Sequence, residues 1–164
     1  MADVLAWWRA APPASRRALF AAGLGWLLDA MDVLLYSFVL NEVAREFGLT
    51  DRQSGLLLAA PLAASAVGGA LFGWAADRVG RTRALTASIL VYSLATAACG
   101  LSQTALQLAV CRIVLGLGMG GEWATGAALV AETWPDEHRG KALGLMQSAW
   151  ALGYAAAAAI YAIV

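Results

Sequence analysis

Long uncharged runs alternate along this chain with short charged ones. Crossing roughly 30 Å of hydrocarbon takes about 20 helical residues, and five runs reach that scale, at 18–40, 55–75, 84–101, 105–131 and 142–164. The pattern predicts five transmembrane helices. The stretches between them, 41–54, 76–83, 102–104 and 132–141, are too short for a separate soluble domain. Any chemistry must therefore lie in or beside the bilayer. Residues 1–17 read as an N-terminal segment ahead of a transmembrane bundle over 18–164. The final run, "YAAAAAIYAIV", has no charged outer flank, so the chain reads as truncated at the end of its fifth span, before a sixth.

Composition strengthens this reading. With 61% hydrophobic and only 13% charged residues, and a mean hydropathy of +0.68, the chain is far from the balance of a soluble domain. The net charge of zero conceals an asymmetry. Arg9, Arg16, Arg17, Arg78, Arg81, Arg83, Arg139 and Lys141 fall on one side of the predicted spans, and only Arg45 and Arg52 on the other. Basic residues beside a span are retained in the cytoplasm, which places the N-terminus inside and the last residue outside. The expected location is a cell membrane, a bacterial inner membrane, crossed several times. The start, "MADVLAWWRAAPPASRR", lacks the order of a cleaved signal peptide. Trp7 and Trp8 instead suggest an interfacial segment.

Cys99 and Cys111 lack redox or metal spacing and read as buried packing thiols. His138 has no Cys or His neighbour at ligand spacing. No metal, cofactor or nucleic-acid partner is implied. No Ser, His and Asp set is apparent either, and the glycines of "GLGMGG" lie inside an apolar helix rather than between a strand and a helix, so an enzyme is not indicated. Gly69 with Gly73, and Gly116 with Gly120, place small residues four apart, which lets helix backbones approach closely in lipid.

Charge inside the predicted spans is confined to Asp29 and Asp32 in the first and Arg112 and Glu122 in the fourth. A three-plus-three inverted repeat would make these two helices counterparts lining a midplane cavity. At about 100° per residue, Gly25, Asp29, Asp32 and Tyr36 share a stripe roughly 60° wide. An aspartate near the bilayer centre costs on the order of 2.5 to 3.5 kcal/mol unless it faces a cavity or a partner. A structural polar pair would meet that need, and so would an ion or substrate pathway. Counted at about 1.5 Å per residue from the cytoplasmic ends, Asp32 lies roughly 21 Å deep, Asp29 roughly 16 Å, Arg112 roughly 28 Å and Glu122 roughly 13 Å. Allowing for tilt and for arginine's length, Asp32 is the better match to Arg112. Burial favours a carboxylate's neutral form and a neighbouring arginine its charged form, so such a pair can switch protonation when the arginine is drawn away or water enters. Glu122 lies about 80° around the helix from Arg112 and serves a different contact, structural or functional. Gln147, Trp150 and Tyr154 share a face of the fifth span; packing and binding readings both remain open there, as they do for Trp26 and Trp123.

The loop "GWAADRVGRTR", Gly73 to Arg83, is the most specific string. Its GxxxDRxGRxR pattern sets Gly73, Asp77, Arg78, Gly80, Arg81 and Arg83 at fixed places, which simple positive-inside charge would not require. This loop resembles the motif between the second and third helices of the major facilitator superfamily, with departures at Ala75, usually Leu, and Thr82, usually basic. "RIVLGLGMGGE", from Arg112 to Glu122, resembles the family's RxxxGxxxG motif. "AETWPDEHRGK" resembles its E-x-x-P-x-x-x-R-G loop, with Glu132, Pro135, Arg139 and Gly140 in register. "GWLLDAMD", "VLNEVAREFGLT" and "GMGGEWATGAALVAETWP" together look most like the sialate and monocarboxylate proton symporters, and also like the broader metabolite and aromatic-acid proton symporters.

The resemblance implies an N-terminal helical bundle of that fold, most of one half of a transporter whose two six-helix halves rock about a midplane site. It implies proton-coupled symport of a small organic acid, of sialate or monocarboxylate type, by alternating access. Asp32 and Arg112 would form the coupling pair. Asp29, Glu122, Tyr36, Gln147, Trp150 and Tyr154 would line the pathway or bind substrate. Asp77, with Arg78 and Arg81, would form the cytoplasmic gate, and Asp77 would latch to the missing C-terminal half. The partners are then a small organic anion, protons, the lipid bilayer and that other half. A sugar or other metabolite proton symporter is the alternative within the family. A non-transporting membrane sensor or assembly subunit is the alternative outside it.

Overall fold

The computed structural model describes residues 6–163, so Met1 to Leu5 of the expected N-terminal segment and Val164 of the expected fifth span lie outside the described residues. A short helix, α1 (Ala6–Ala10), precedes five long ones: α2 (Pro13–Phe47), α3 (Asp51–Val79), α4 (Arg81–Gly100), α5 (Ala105–Thr133) and α6 (Asp136–Tyr161). Each long helix is apolar and long enough to cross a membrane. Phe20, Leu62, Leu94, Leu106 and Leu152 all point outward, while Ser88, Arg112, Glu122 and Thr125 are buried. An apolar exterior around a partly polar interior suits lipid, not water. This is a multi-pass membrane protein.

The helices outrun the expected spans. Most of the 41–54, 76–83 and 132–141 stretches are helical, and α2 takes in the last residues of the expected N-terminal segment. A hydropathy run ends where lipid ends, but a helix ends where its backbone is capped. Gly48 caps α2 in the left-handed region (φ 62°), its amide and the next returning to Arg45 and Ala44 carbonyls. Thr50 opens α3 with a capping box: Gln53 N–H donates to Thr50 Oγ1 at 3.3 Å, and Thr50 N–H donates to Gln53 Oε1 at 2.9 Å. Gly80, at φ 96°, is the whole connection between α3 and α4. That backbone value strains any other residue.

The bundle is organised around α5, against which α2, α3 and α4 all pack. α6 packs mainly on α2. Bare glycine backbone makes this possible. A Cβ at Gly116 would fall 2.2 Å from the Pro61 carbonyl oxygen, one at Gly120 1.8 Å from that of Ser65, and one at Gly118 2.6 Å from the Tyr92 nitrogen. So α5 presses backbone to backbone on α3 along one face and on α4 along another. The Gly69 and Gly73 pair does not behave alike: a Cβ at Gly69 would sit 3.4 Å from the Gly120 oxygen, whereas Gly73 has nothing within 4 Å. Within this chain, then, Gly69 and not Gly73 meets the neighbouring backbone.

Trp7 and Trp8, expected at an interface, lie with their rings 5.2 and 5.9 Å from that of Trp134. They cover the end of a core formed by Leu19, Val130, Trp134 and Met146. Trp134 Nε1 donates to the Ser15 carbonyl at 3.0 Å, and Ser15 Oγ donates to the Thr133 carbonyl at 2.6 Å. Start of α2 and end of α5 are thereby tied together.

Candidate functional site

Asp32 on α2 and Arg112 on α5 meet inside the bundle. Arg112 Nη1 donates to Asp32 Oδ2 at 3.1 Å, with the two side chains 5% and 17% exposed. The other face of the guanidinium lies over the Tyr36 ring, with Cζ 3.6 Å from the centroid. Tyr36 is one helical turn beyond Asp32, so a single stripe of α2 supplies both a counter-charge and a π-face. This does not satisfy the arginine. Its Nε is buried and unpartnered, and a guanidinium has five donors. Arg112 can therefore take a second anion, or exchange one for the other.

Two cavities flank the pair. One, of about 590 Å³, lies between α2, α4 and α5 and is lined by Tyr36, Tyr92, Thr96 and Cys99 as well as the ion pair. The other, of about 230 Å³, lies between α2, α3 and α5, with Ser37, Leu58, Pro61 and Met119 on its walls. Asp32 and Arg112 line both.

Asp29 and Glu122 are placed differently. Asp29 is fully buried, and neither of its carboxylate oxygens has a hydrogen-bond partner. It lines neither cavity at the ion pair. The reason is helical: three residues along, Asp32 is rotated by about 60° from Asp29. That is enough to put one on the cavity and the other in the contact between helices. Glu122, 3% exposed, seats its carboxylate on the bare backbone of Gly25, where a Cβ would lie 1.3 Å from Oε1.

The aromatic residues form a ladder of their own. Trp26 lies 6.1 Å from Trp123 and 4.4 Å from Trp150, and Trp150 lies 5.7 Å from Tyr154, linking α5, α2 and α6. Trp26 and Trp123 also line a space of about 370 Å³ beside Ser65 and Gly69. Gln147 is exposed on α6. None of Gln147, Trp150 and Tyr154 lines the cavities at Asp32 and Arg112. A further groove between α2 and α6, lined by Phe20, Leu24, Leu145 and Leu152, is almost wholly apolar and offers no chemistry.

At the end of the bundle that carries the α3–α4 turn, Arg81 gathers the charges. It contacts Asp77 at 2.7 Å and Glu132 at 3.0 Å, tying that turn to the last turn of α5. Asp77, implied to latch to another half, thus has a partner within this chain. Arg78 stacks over Trp74, 3.6 Å from the ring centroid. Arg139 pairs with Asp136 rather than with this cluster. Arg83 is exposed near the start of α4.

Sequence reasoning missed Tyr92 and Thr96. Both lie on α4, which carries no charge within its span, so hydropathy gave no reason to single it out. Tyr92 donates to the Leu28 carbonyl at 3.3 Å, and Thr96 Oγ1 is buried and unpartnered at the larger cavity. Their spacing of four, on one helical face, was the available signal.

The sequence matches the family model described as Major Facilitator Superfamily over residues 19–164. A Cupriavidus pinatubonensis protein described as "Probable 4-methylmuconolactone transporter" is 40% identical over 157 residues, covering 96% of this chain and 37% of its own length. "Sialic acid transporter NanX" of Escherichia coli is 35% identical over 155 residues, covering 94% of this chain and 38% of its own length. A solved structure, a bacterial homolog to the human lysosomal transporter Spinster in an inward-facing, unoccupied conformation, aligns with a TM-score of 0.80 at 25% identity. That alignment covers 88% of this chain and 30% of the other. The chain therefore spans well under half the length of the proteins it matches.

Proposed function

Since this chain belongs to the major facilitator superfamily, we propose that it supplies the N-terminal portion of a secondary active transporter that carries a small organic acid together with protons. The observation that carries the reading is the Asp32–Arg112 pair, buried between two cavities and leaving Arg112 donors to spare. Protonation of Asp32 removes its charge and frees the guanidinium for a substrate carboxylate. Loss of that proton returns Arg112 to Asp32 and expels the substrate. Binding of the two ligands is thereby linked through one side chain, and rocking of the complete bundle would expose the pair to each side in turn.

Sialic acid is a carboxylic acid and a muconolactone carries a free carboxylate on a side arm of its lactone ring, so the names of the two relatives agree with an anion held by arginine. The charge distribution supports a cytoplasmic N-terminus and a cytoplasmic Arg81 cluster, in which Asp77, Arg81 and Glu132 would act as the gate. In Asp32→Asn of the complete protein, gradient-driven uptake fails while exchange of labelled for unlabelled substrate survives. Unchanged pH-dependent accumulation would overturn the proposal.

A further inference from the structure

We propose that Asp29 and Glu122 form a second proton-binding site in the α2–α5 contact, a carboxyl pair holding one proton between them and separate from the Asp32–Arg112 ion pair. Three observations of geometry support it. Asp29 is completely buried with both carboxylate oxygens unpartnered, and Glu122 is buried with Oε1 unpartnered. Glu122 reaches across to α2 at Gly25, one helical turn from Asp29 on the same stripe. Neither carboxyl reaches the two cavities at the ion pair, so bulk water does not satisfy them from there.

Among the described residues no cation is paired with either acid. On α2 their charged neighbour is Asp32, another acid; on α5 it is Arg112, which pairs with Asp32 and whose spare Nε donor is bonded to neither acid. From α4 comes Tyr92, whose hydroxyl is directed to the Leu28 carbonyl. The charged residues of α3 and α6 are confined to their terminal turns, and against the middle of α2 the α6 helix offers Gly153. Two bare carboxylates one helical turn apart in such a place would each lack a donor and would repel each other. One proton repairs both faults. The protonated carboxyl donates its O–H, the other accepts it, and the net charge of the pair falls from two negative to one. A metal ion would need more oxygen donors than the two acids offer, and among the described residues no group of three ligating side chains is placed to hold one.

This inference deepens the transport reading and rests on it for the proton's use, but the pair can be detected without transport. The test is infrared spectroscopy of the complete protein in phosphatidylcholine vesicles at neutral pH, with the side-chain carboxyl carbon of aspartate or of glutamate labelled with ¹³C. The expected spectrum has a protonated-carboxyl band that responds to a label and disappears or moves in both Asp29→Asn and Glu122→Gln. Asp32→Asn leaves that component in place. The absence of such a band in the unsubstituted protein, which needs no variant to fold, overturns the proposal. So does a band that neither substitution alters. If the band behaves as expected while gradient-driven uptake is absent, the carboxyl pair stands and the transport reading falls.

Discussion

The guanidinium of Arg112 lies over the Tyr36 ring, its Cζ 3.6 Å from the centroid, while Asp32 accepts a hydrogen bond from the arginine's Nη1 at 3.1 Å. Ring and carboxylate thus divide the work of orienting one cation. In a desolvated site a cation–π contact is worth about 2 kcal/mol, or roughly 30-fold in binding. Tyr36→Phe keeps the ring and is expected to bind substrate within about twofold of wild type. Tyr36→Leu is expected to weaken binding by about 10- to 30-fold. Substrate titration of the reconstituted protein measures both, and wild-type affinity in the leucine variant would refute the assignment.

Arg112→Lys retains the charge yet cannot reproduce a flat ring contact together with forked donors. Lysine offers a compact ammonium in place of a planar, stackable group. Substrate affinity is expected to fall at least about tenfold, with the thermal midpoint nearly unchanged because a charge still faces Asp32. Equal affinities for arginine and lysine would show that the site reads charge alone.

Gly120 and Gly73 make a matched pair of tests. A methyl group at 120 would intrude on the Ser65 carbonyl, whereas one at 73 meets open space. Gly120→Ala is expected to destabilise the bundle by about 1–3 kcal/mol through overpacking. Gly73→Ala is expected to leave unfolding unaltered or slightly improved. Thermal unfolding in one detergent, scored side by side, decides the matter.

The Arg81 cluster is solvent-facing, with Asp77 and Glu132 side chains 65% and 53% exposed. Exposed ion pairs contribute little to stability and weaken with salt. Arg81→Gln should therefore leave the thermal midpoint where it is, yet shift the balance between inward- and outward-open states of the complete protein. Cysteine accessibility near Gly80 reads that balance; a large drop in midpoint without a change in accessibility would make the cluster a staple and not a gate.

Trp134→Phe removes the donor to the Ser15 carbonyl while filling most of the same space. The Ser15 carbonyl keeps its bond within the helix, so losing this second donor is expected to cost about 0.5–1.5 kcal/mol. Limited proteolysis should then cut faster at Arg9, beside the two tryptophans that cover this core, than it does in the wild type.

The fold was legible because lipid imposes simple arithmetic. Runs such as 55–75 and 105–131 could be counted directly, and the motif around Asp77 carried the family resemblance. Helix ends were less legible, since Gly48, Thr50 and Gly80 act through backbone geometry that hydropathy ignores. Within the site, depth along two antiparallel helices singled out Asp32 over Asp29 for Arg112, and the structure puts that pair in contact. What counting along one helix cannot supply is rotation against its neighbours. The burial of Asp29, the seat of Glu122 on Gly25 and the inward turn of Thr96 all depend on how α2, α4 and α5 are set about their own axes.

The glycine faces of α5 bear on how the protein is made. Chains are synthesised from the N-terminus, so α2, α3 and α4 enter the bilayer before the helix on which all three pack. Until α5 arrives they have few of their mature neighbours and an unfilled slot whose walls are backbone. Insertion of α5 is then the committed step of biogenesis, and a ribosome halted before residue 105 would leave three helices for the quality-control machinery rather than a partial transporter.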